Sequence, residues 1–425
     1  MSISASPSPA SSVENPAQLP AATASVEAGA LSPLRDPIFR SLWIAAVISY
    51  TGSWMQNIAT GWLMTSLTSS PMLISLVQVA LSLPVLIIAL PAGAIADLVD
   101  RRKFLLITQS SMVGASMVLG ILTITGTCTP TLLLIFTFLL GVGAVMNDPA
   151  WQALTPELVP ATRLANAVAL NSAGFNIARA AGPAIGGLVI ATAGSGTAFL
   201  LNAVSFFGVI LFLYRWKPAP HVPDKAKATI AGAISIGLHY VKQDKRIRAV
   251  LARTVAFSLF ASAFWALLPL IARRFGAEGY GAMLAFFGLG ALAGALLLAA
   301  ARRHFSFDKI TVLATLIFAV ALCGLVRTSN LFVASAFAAA AGLAWISVLA
   351  TLNLVAQTAC PSWIRARVLS MYVLFLQGGM ALGSALWGMV ASHTSVKFTL
   401  TLAAAALIVG LLLAPRYRLY HAEGH

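Results

Sequence analysis

Acidic residues are scarce in this chain. Only 12 Asp and Glu stand against 27 Lys and Arg among 425 residues, and charged residues make up 9% of the total. A soluble domain carries about 25%, so an ordinary water-exposed fold is excluded. No acid lies deep in any of the long apolar runs. There is no nucleophile elbow, metalloprotease helix or phosphate-binding Gly-Lys loop, which argues against an enzyme and against ATP hydrolysis within the chain. Cysteine is nearly absent: Cys128, Cys323 and Cys360 form no metal-ligand spacing and read as packing residues. Of these, only Cys128 is open to a disulfide, and it lacks an obvious partner. No metal and no cofactor are expected.

What the chain has instead is apolar length, with 59% hydrophobic residues. A run of roughly 20 apolar residues spans a bilayer, and the sequence offers twelve: 38–66, 71–96, 104–125, 130–150, 164–192, 196–214, 246–272, 278–300, 308–327, 330–355, 366–392 and 396–414. Residues 1–34 form a Ser/Ala/Pro tail without periodicity and read as disordered. Two bundles, 35–214 and 246–414, flank a linker over 215–245, and 415–425 is a second tail. In the linker Ile230, Ile234, Leu238 and Val241 make one apolar helical stripe beside a basic end. That pattern suits a helix lying on the membrane surface, or simply the start of the seventh span.

The halves repeat each other. At an offset of 201, Gly93 falls on Gly294, Arg101 and Arg102 on Arg302 and Arg303, Pro160 on Pro361, Gly182 on Gly383 and Gly187 on Gly388. Upstream the offset is 208, pairing Asp36 with Asp244 and Arg40 with Arg248. Repeats of this kind are how many transporters are built, with a pathway between the copies. The expected fold is all-α and integral to the membrane, with twelve transmembrane helices in two homologous six-helix bundles.

A net charge of +15 raises the possibility of nucleic-acid binding, but its distribution argues against it. Of the 27 Lys and Arg, Arg273, Arg274, Arg327 and Lys397 fall on one side and Arg179 and Arg253 within spans. The remaining 21 fall on the side of the tails. This is the positive-inside asymmetry. It predicts cytoplasmic termini and basic loops against anionic lipid headgroups.

Four groups of residues are candidates for function. The loop after the second span carries Gly93, Asp97, Asp100, Arg101 and Arg102. Gly93 permits close helix approach, and a carboxylate at Asp97 can face a helix N-terminus or an arginine across the boundary between halves, making a conformational latch. An ordinary basic loop is the alternative. The second copy has Leu298 and Ala301 where the acids would be, so the acidic part exists once. In the fifth span Asn171, Phe175, Arg179, Gly182 and Gly186 share one helix face, with Asn176, Pro183 and Gly187 beside it. A central arginine costs roughly 2.5–3.5 kcal/mol to insert. Arg179 is therefore a substrate or coupling candidate, the alternative being a structural arginine on backbone carbonyls. Gln56, Asn57 and Asn353 are candidate cavity-lining groups. Asp148, at the end of the fourth span, and Arg253, about 7 residues into the seventh, complete the set. Trp54, Trp62, Trp265, Trp345, Phe257 and Phe264 are either cavity walls or packing.

These residues give the chain a family resemblance. The stretch from Gly93 to Lys103 resembles the loop 2–3 signature of the major facilitator superfamily, and Ala178 to Gly187 its span-five antiporter signature. Gly52 to Gln56, Asn147 to Pro160, Leu170 to Gly187 and Gly237 to Arg253 are similar to the transmembrane secretion effector branch, which contains the enterobactin exporter. The resemblance implies an exporter of a small amphiphilic molecule (siderophore, drug or metabolite) in a bacterial inner membrane, a mechanism for which a monomer is sufficient. It also implies alternating access, exchange for protons, and a path lined by spans one, four, seven and ten. Asp148 stands where a small residue is typical, and the fourth span lacks the arginine of many drug antiporters. An importer on the same fold, and a non-transporting membrane scaffold or enzyme, are the competing readings.

Overall fold

The computed structural model describes residues 29–216, 241 and 243–419, with side chains except at 90, 91, 93–98, 153, 362, 363 and 366. The linker stripe, apart from Val241, and residues 1–28 and 420–425 lie outside the described residues.

The described chain is helical throughout. In the first half α1 is Pro37–Leu67, α2 Pro71–Leu98, α3 Arg101–Ile124 and α4 Pro130–Leu158. Helix Leu164–Arg215 is interrupted at Gly194, whose φ of 83° no L-residue adopts without strain. We number its limbs α5 (164–193) and α6 (195–215). In the second half α7 is Lys245–Ala272, α8 Gly276–His304, α9 Phe307–Arg327, α10 Leu331–Thr358, α11 Ser362–His393 and α12 Val396–Gly410.

Nine stretches are long and apolar enough to cross a bilayer, and two of them, Ala161–Arg215 and Lys245–His304, hold two helices each. Helix α1 falls below that hydropathy because it carries Thr51, Ser53, Gln56, Asn57 and Thr60, which it turns inward. With α1 the described helices make twelve.

The repeat is visible in the caps and in the packing. Asp36 opens α1 by accepting from the Ile38 amide at 2.8 Å, and Asp244 opens α7 by accepting from the Arg246 amide at 2.7 Å. Each satisfies orphan donors of a first turn. Helix α1 packs along α5 as α7 packs along α11, and α2 along α4 as α8 along α10. The halves join through α5 on α8 and α2 on α11.

These joints sit toward the side away from the termini, the far side. There the Met72 amide donates to Ser392 Oγ at 3.1 Å. A methyl group at Gly187 would stand 2.8 Å from the Gly281 Cα. At the tail side, α4 and α5 make at most marginal contact with α10 and α11. Among the described residues the halves therefore meet at the far side and are parted at the tail side.

Both described chain ends are tied down. Ser32–Arg35 forms a 3-10 turn, and Asn166 Nδ2 donates to the Gly29 carbonyl at 3.1 Å. The Leu419 amide donates to both Asp308 carboxylate oxygens, at 3.2 and 3.1 Å. The three cysteines are free, and burial pushes the Cys128 and Cys360 thiols up.

Candidate functional site

A cavity of about 290 Å³ lies between the halves. Helix α1 supplies Trp54, Asn57, Ile58 and Gly61, whose spacing of three, one and three keeps them on one face. Helix α2 adds Ile74, Val77, Gln78 and Leu81 by the same rule, and α8 adds Tyr280, Leu284, Phe287 and Gly288. Arg179 and Pro183 enter from α5, Trp265 and Pro269 from α7, Trp345 from α10 and Met380 from α11.

The second-half wall is aromatic. Trp265 meets Phe287 edge-on at 4.9 Å between centroids and Trp345 at 5.7 Å. Phe257, Phe264 and Phe318 back this wall from behind. Such pairs hold rigid, planar faces toward the space. The first half contributes Trp54, which meets Phe175 at 6.2 Å, and Phe175 meets Tyr50 at 5.5 Å. At the far end Trp62 of α1 stacks on Tyr280 of α8 across the halves at 6.3 Å, closing the cavity.

The glycines of α5 set its position between α1 and α8. A methyl group at Gly182 would stand 2.6 Å from Trp54 Cβ, and one at Gly186 3.0 Å from the Met55 Cα. Gly187 faces the other way, onto Gly281. This thin helix brings Arg179 to the cavity edge, where its side chain is half-buried. Among the described residues no carboxylate or carbonyl engages its guanidinium. Among the described residues no Asp, Glu or His lines the cavity, and Arg179 is the one formal charge there.

The other sequence candidates are distributed around this space. Asn57 lines it, as does Gln78. Gln56 is turned away: its Oε1 accepts from Ser116 Oγ and from Asn202 Nδ2, each at 2.6 Å, in a buried knot joining α1, α3 and α6. Arg253 pairs with Asp308 and Thr311 on α9, away from the cavity. Asn171 donates to Thr155 Oγ1 of α4 at 3.0 Å, and exposed Asn176 donates to the Ser172 carbonyl at 2.8 Å. Asn353 accepts from Gln357 at 2.5 Å, and both line a tail-side cleft of about 470 Å³ with Arg302 and Tyr372. Asp148 is exposed on α4, one turn from Trp151, which meets Tyr50 at 6.4 Å.

In the loop after α2, Asp100 caps α3 by accepting from the Lys103 amide at 3.1 Å. Arg101 pairs with Glu157 of α4 at 2.5 Å. Arg102 donates to the Leu213 and Tyr214 carbonyls, each at 2.6 Å. All these partners belong to the same half. Gly93 and Asp97 fall in the last turns of α2, and their side chains lie outside those described.

Sequence reasoning passed over Tyr280, Phe287 and Gln78 as part of one site. The Gly279-Tyr280-Gly281 triplet was the available signal, because a large ring between two glycines marks a close helix crossing.

Comparison with known proteins agrees with this architecture. Residues 28–425 match the family described as transmembrane secretion effector. A multidrug efflux pump of Mycolicibacterium fortuitum is 27% identical over 409 residues, covering 90% of this chain and 97% of that protein. An enterobactin exporter of Shigella boydii is 26% identical, covering 89% and 91%. A staphyloferrin A transporter of Staphylococcus aureus is 25% identical over 287 residues, covering 66% and 72%. Among solved structures, a bacterial homologue of the human lysosomal transporter Spinster, inward-facing and unoccupied, superposes with a TM-score of 0.70 at 14% identity, covering 91% and 96%.

Proposed function

The chain belongs to the transmembrane secretion effector family of major facilitator transporters, and we propose that it exports a small amphiphilic molecule by alternating access. That it is a multi-pass membrane transporter and not an enzyme follows from the family and its relatives. The single observation that carries the finer reading is the cavity at the boundary of the halves, closed beneath Trp62 and Tyr280 and parted at the tail side. Two bodies hinged around one site are what alternating access requires.

The charge asymmetry supports cytoplasmic termini, and with them the parted side is the loading side of an exporter. The names of the relatives support a siderophore or drug as cargo. Protons are the coupling ion. Their carrier is Asp148, a carboxylate at the tail-side end of the fourth span, one turn from Trp151. Substrate and proton then occupy different groups, because none of the described residues lining the cavity is a carboxylate. The loop after α2, with Gly93, Asp97, Asp100, Arg101 and Arg102, serves as the conformational latch. The transporter works as a monomer, since one chain contains both walls of the site.

Mass spectrometry of medium and cell contents tests this reading. The strains would lack the protein, carry it, or carry Arg179→Gln at matched membrane level. A compound retained without the protein and released only with the unaltered form is the expected result. Net uptake of that compound by cells carrying the protein would overturn export.

A further inference from the structure

We infer that the cargo is an organic anion with a planar unsaturated body, held by its negative group at Arg179 and by its planar body against the aromatic wall of Trp265 and Trp345. This rests on the export reading above and narrows its substrate class.

The inference starts from a charge imbalance. Arginine stays protonated and offers five N–H donors with no acceptor. Arg179 stands at the cavity edge, and none of the described carboxylates compensates it. A bare cation beside low-dielectric walls is costly, and its natural partner is an opposite charge. Arg179 therefore asks the ligand for a charged acceptor. Phosphate or sulfate alone would leave the aromatic wall unused. Trp265 and Trp345, 5.7 Å apart and edge to face, offer one ring face and one ring edge to a conjugated body. A carboxylate or phenolate on such a body meets both demands. A cationic amphiphile fails the charge demand, because it would face Arg179 with no acid to balance it.

Equilibrium dialysis of the detergent-purified full chain tests the charge rule with three near-isosteres: 1-naphthoate, neutral 1-naphthamide and cationic 1-naphthylmethylammonium. The expected order is naphthoate first, by at least about tenfold over the ammonium. Arg179→Gln should remove that preference, and Arg179→Lys should keep part of it. Met380→Glu, on the opposite wall, adds an acid without touching Arg179 and should shift the order toward the ammonium. Equal binding of the three probes, tighter binding of the ammonium, or absence of saturable naphthoate binding would overturn the inference. Charge preference and export fail separately. If the cells above export a neutral or cationic compound, the anion rule falls and export stands. If naphthoate binds as expected but nothing leaves the cells, export falls.

Discussion

Gly187 of α5 and Gly281 of α8 meet backbone to backbone across the two halves. A methyl group on Gly281 would stand 2.7 Å from the Gly187 Cα and from the Pro183 carbonyl oxygen. Neither neighbour can rotate away, since both are main chain. The far-side closure thus depends on two absent side chains.

Gly281→Val should weaken that closure. Overpacking costs about 1–3 kcal/mol, enough to shift a two-state equilibrium by roughly 5–150-fold. The expected outcome is a stable, membrane-inserted protein whose export falls about tenfold or more. Export rates at matched protein level check it, with Gly208→Ala as control because a methyl there would make only ordinary contact, 3.6 Å from Ala45.

Asp308 ties three elements together: Arg253 of α7, its own helix α9, and the Leu419 amide of the C-terminal segment. Asp308→Asn leaves buried Arg253 without its anion and should cost about 3 kcal/mol. Thermal unfolding in detergent should register a lower midpoint. Cutting the chain after residue 414 should lower it by less, because Arg253 keeps its partner.

Asp36 and Asp244 should behave alike. Each caps the first helix of its half, and each Asp→Ala change should cost about 0.5–2 kcal/mol. The two effects should add, as distant sites do. Thermal unfolding of both single variants and the double variant measures this.

Electrical driving follows from the anion rule. Moving one charge across 100 mV is worth about 2.3 kcal/mol, so an anion leaving an inside-negative cell runs downhill. In proteoliposomes, an imposed potential of that sign should speed release of the anion in the unaltered protein and in Asp148→Asn. A proton gradient should speed it only in the unaltered protein. Release rates under each gradient separate the two forces.

Much of this was legible in the sequence, for physical reasons. The apolar runs, the 201-residue offset and the Asp36–Asp244 equivalence follow from bilayer thickness and duplication, and all are local in the chain. Residue spacing also put Gly182 and Gly186 on the Arg179 face. What spacing could not tell was which polar groups are already satisfied. Gln56 and Asn57 are neighbours, yet Gln56 is consumed by Ser116 and Asn202 while Asn57 faces the cavity. Arg179 and Arg253 look alike as intramembrane arginines, but Asp308, 55 residues from Arg253, neutralises only one of them. The break at Gly194, by contrast, falls in the gap that the sequence leaves between the spans 164–192 and 196–214.

The most direct test of the central claim is side-specific labelling of a cysteine in the cavity. Met380→Cys, in a chain whose Cys128, Cys323 and Cys360 are replaced, would be treated with a membrane-impermeant maleimide in inside-out and right-side-out vesicles. Met380 lines the cavity between the halves. Labelling at rest from the cytoplasmic face, and from the opposite face only once transport is energised, is the expected result. Labelling from both faces at once, or from the outer face alone at rest, would contradict a pathway that opens to one side at a time.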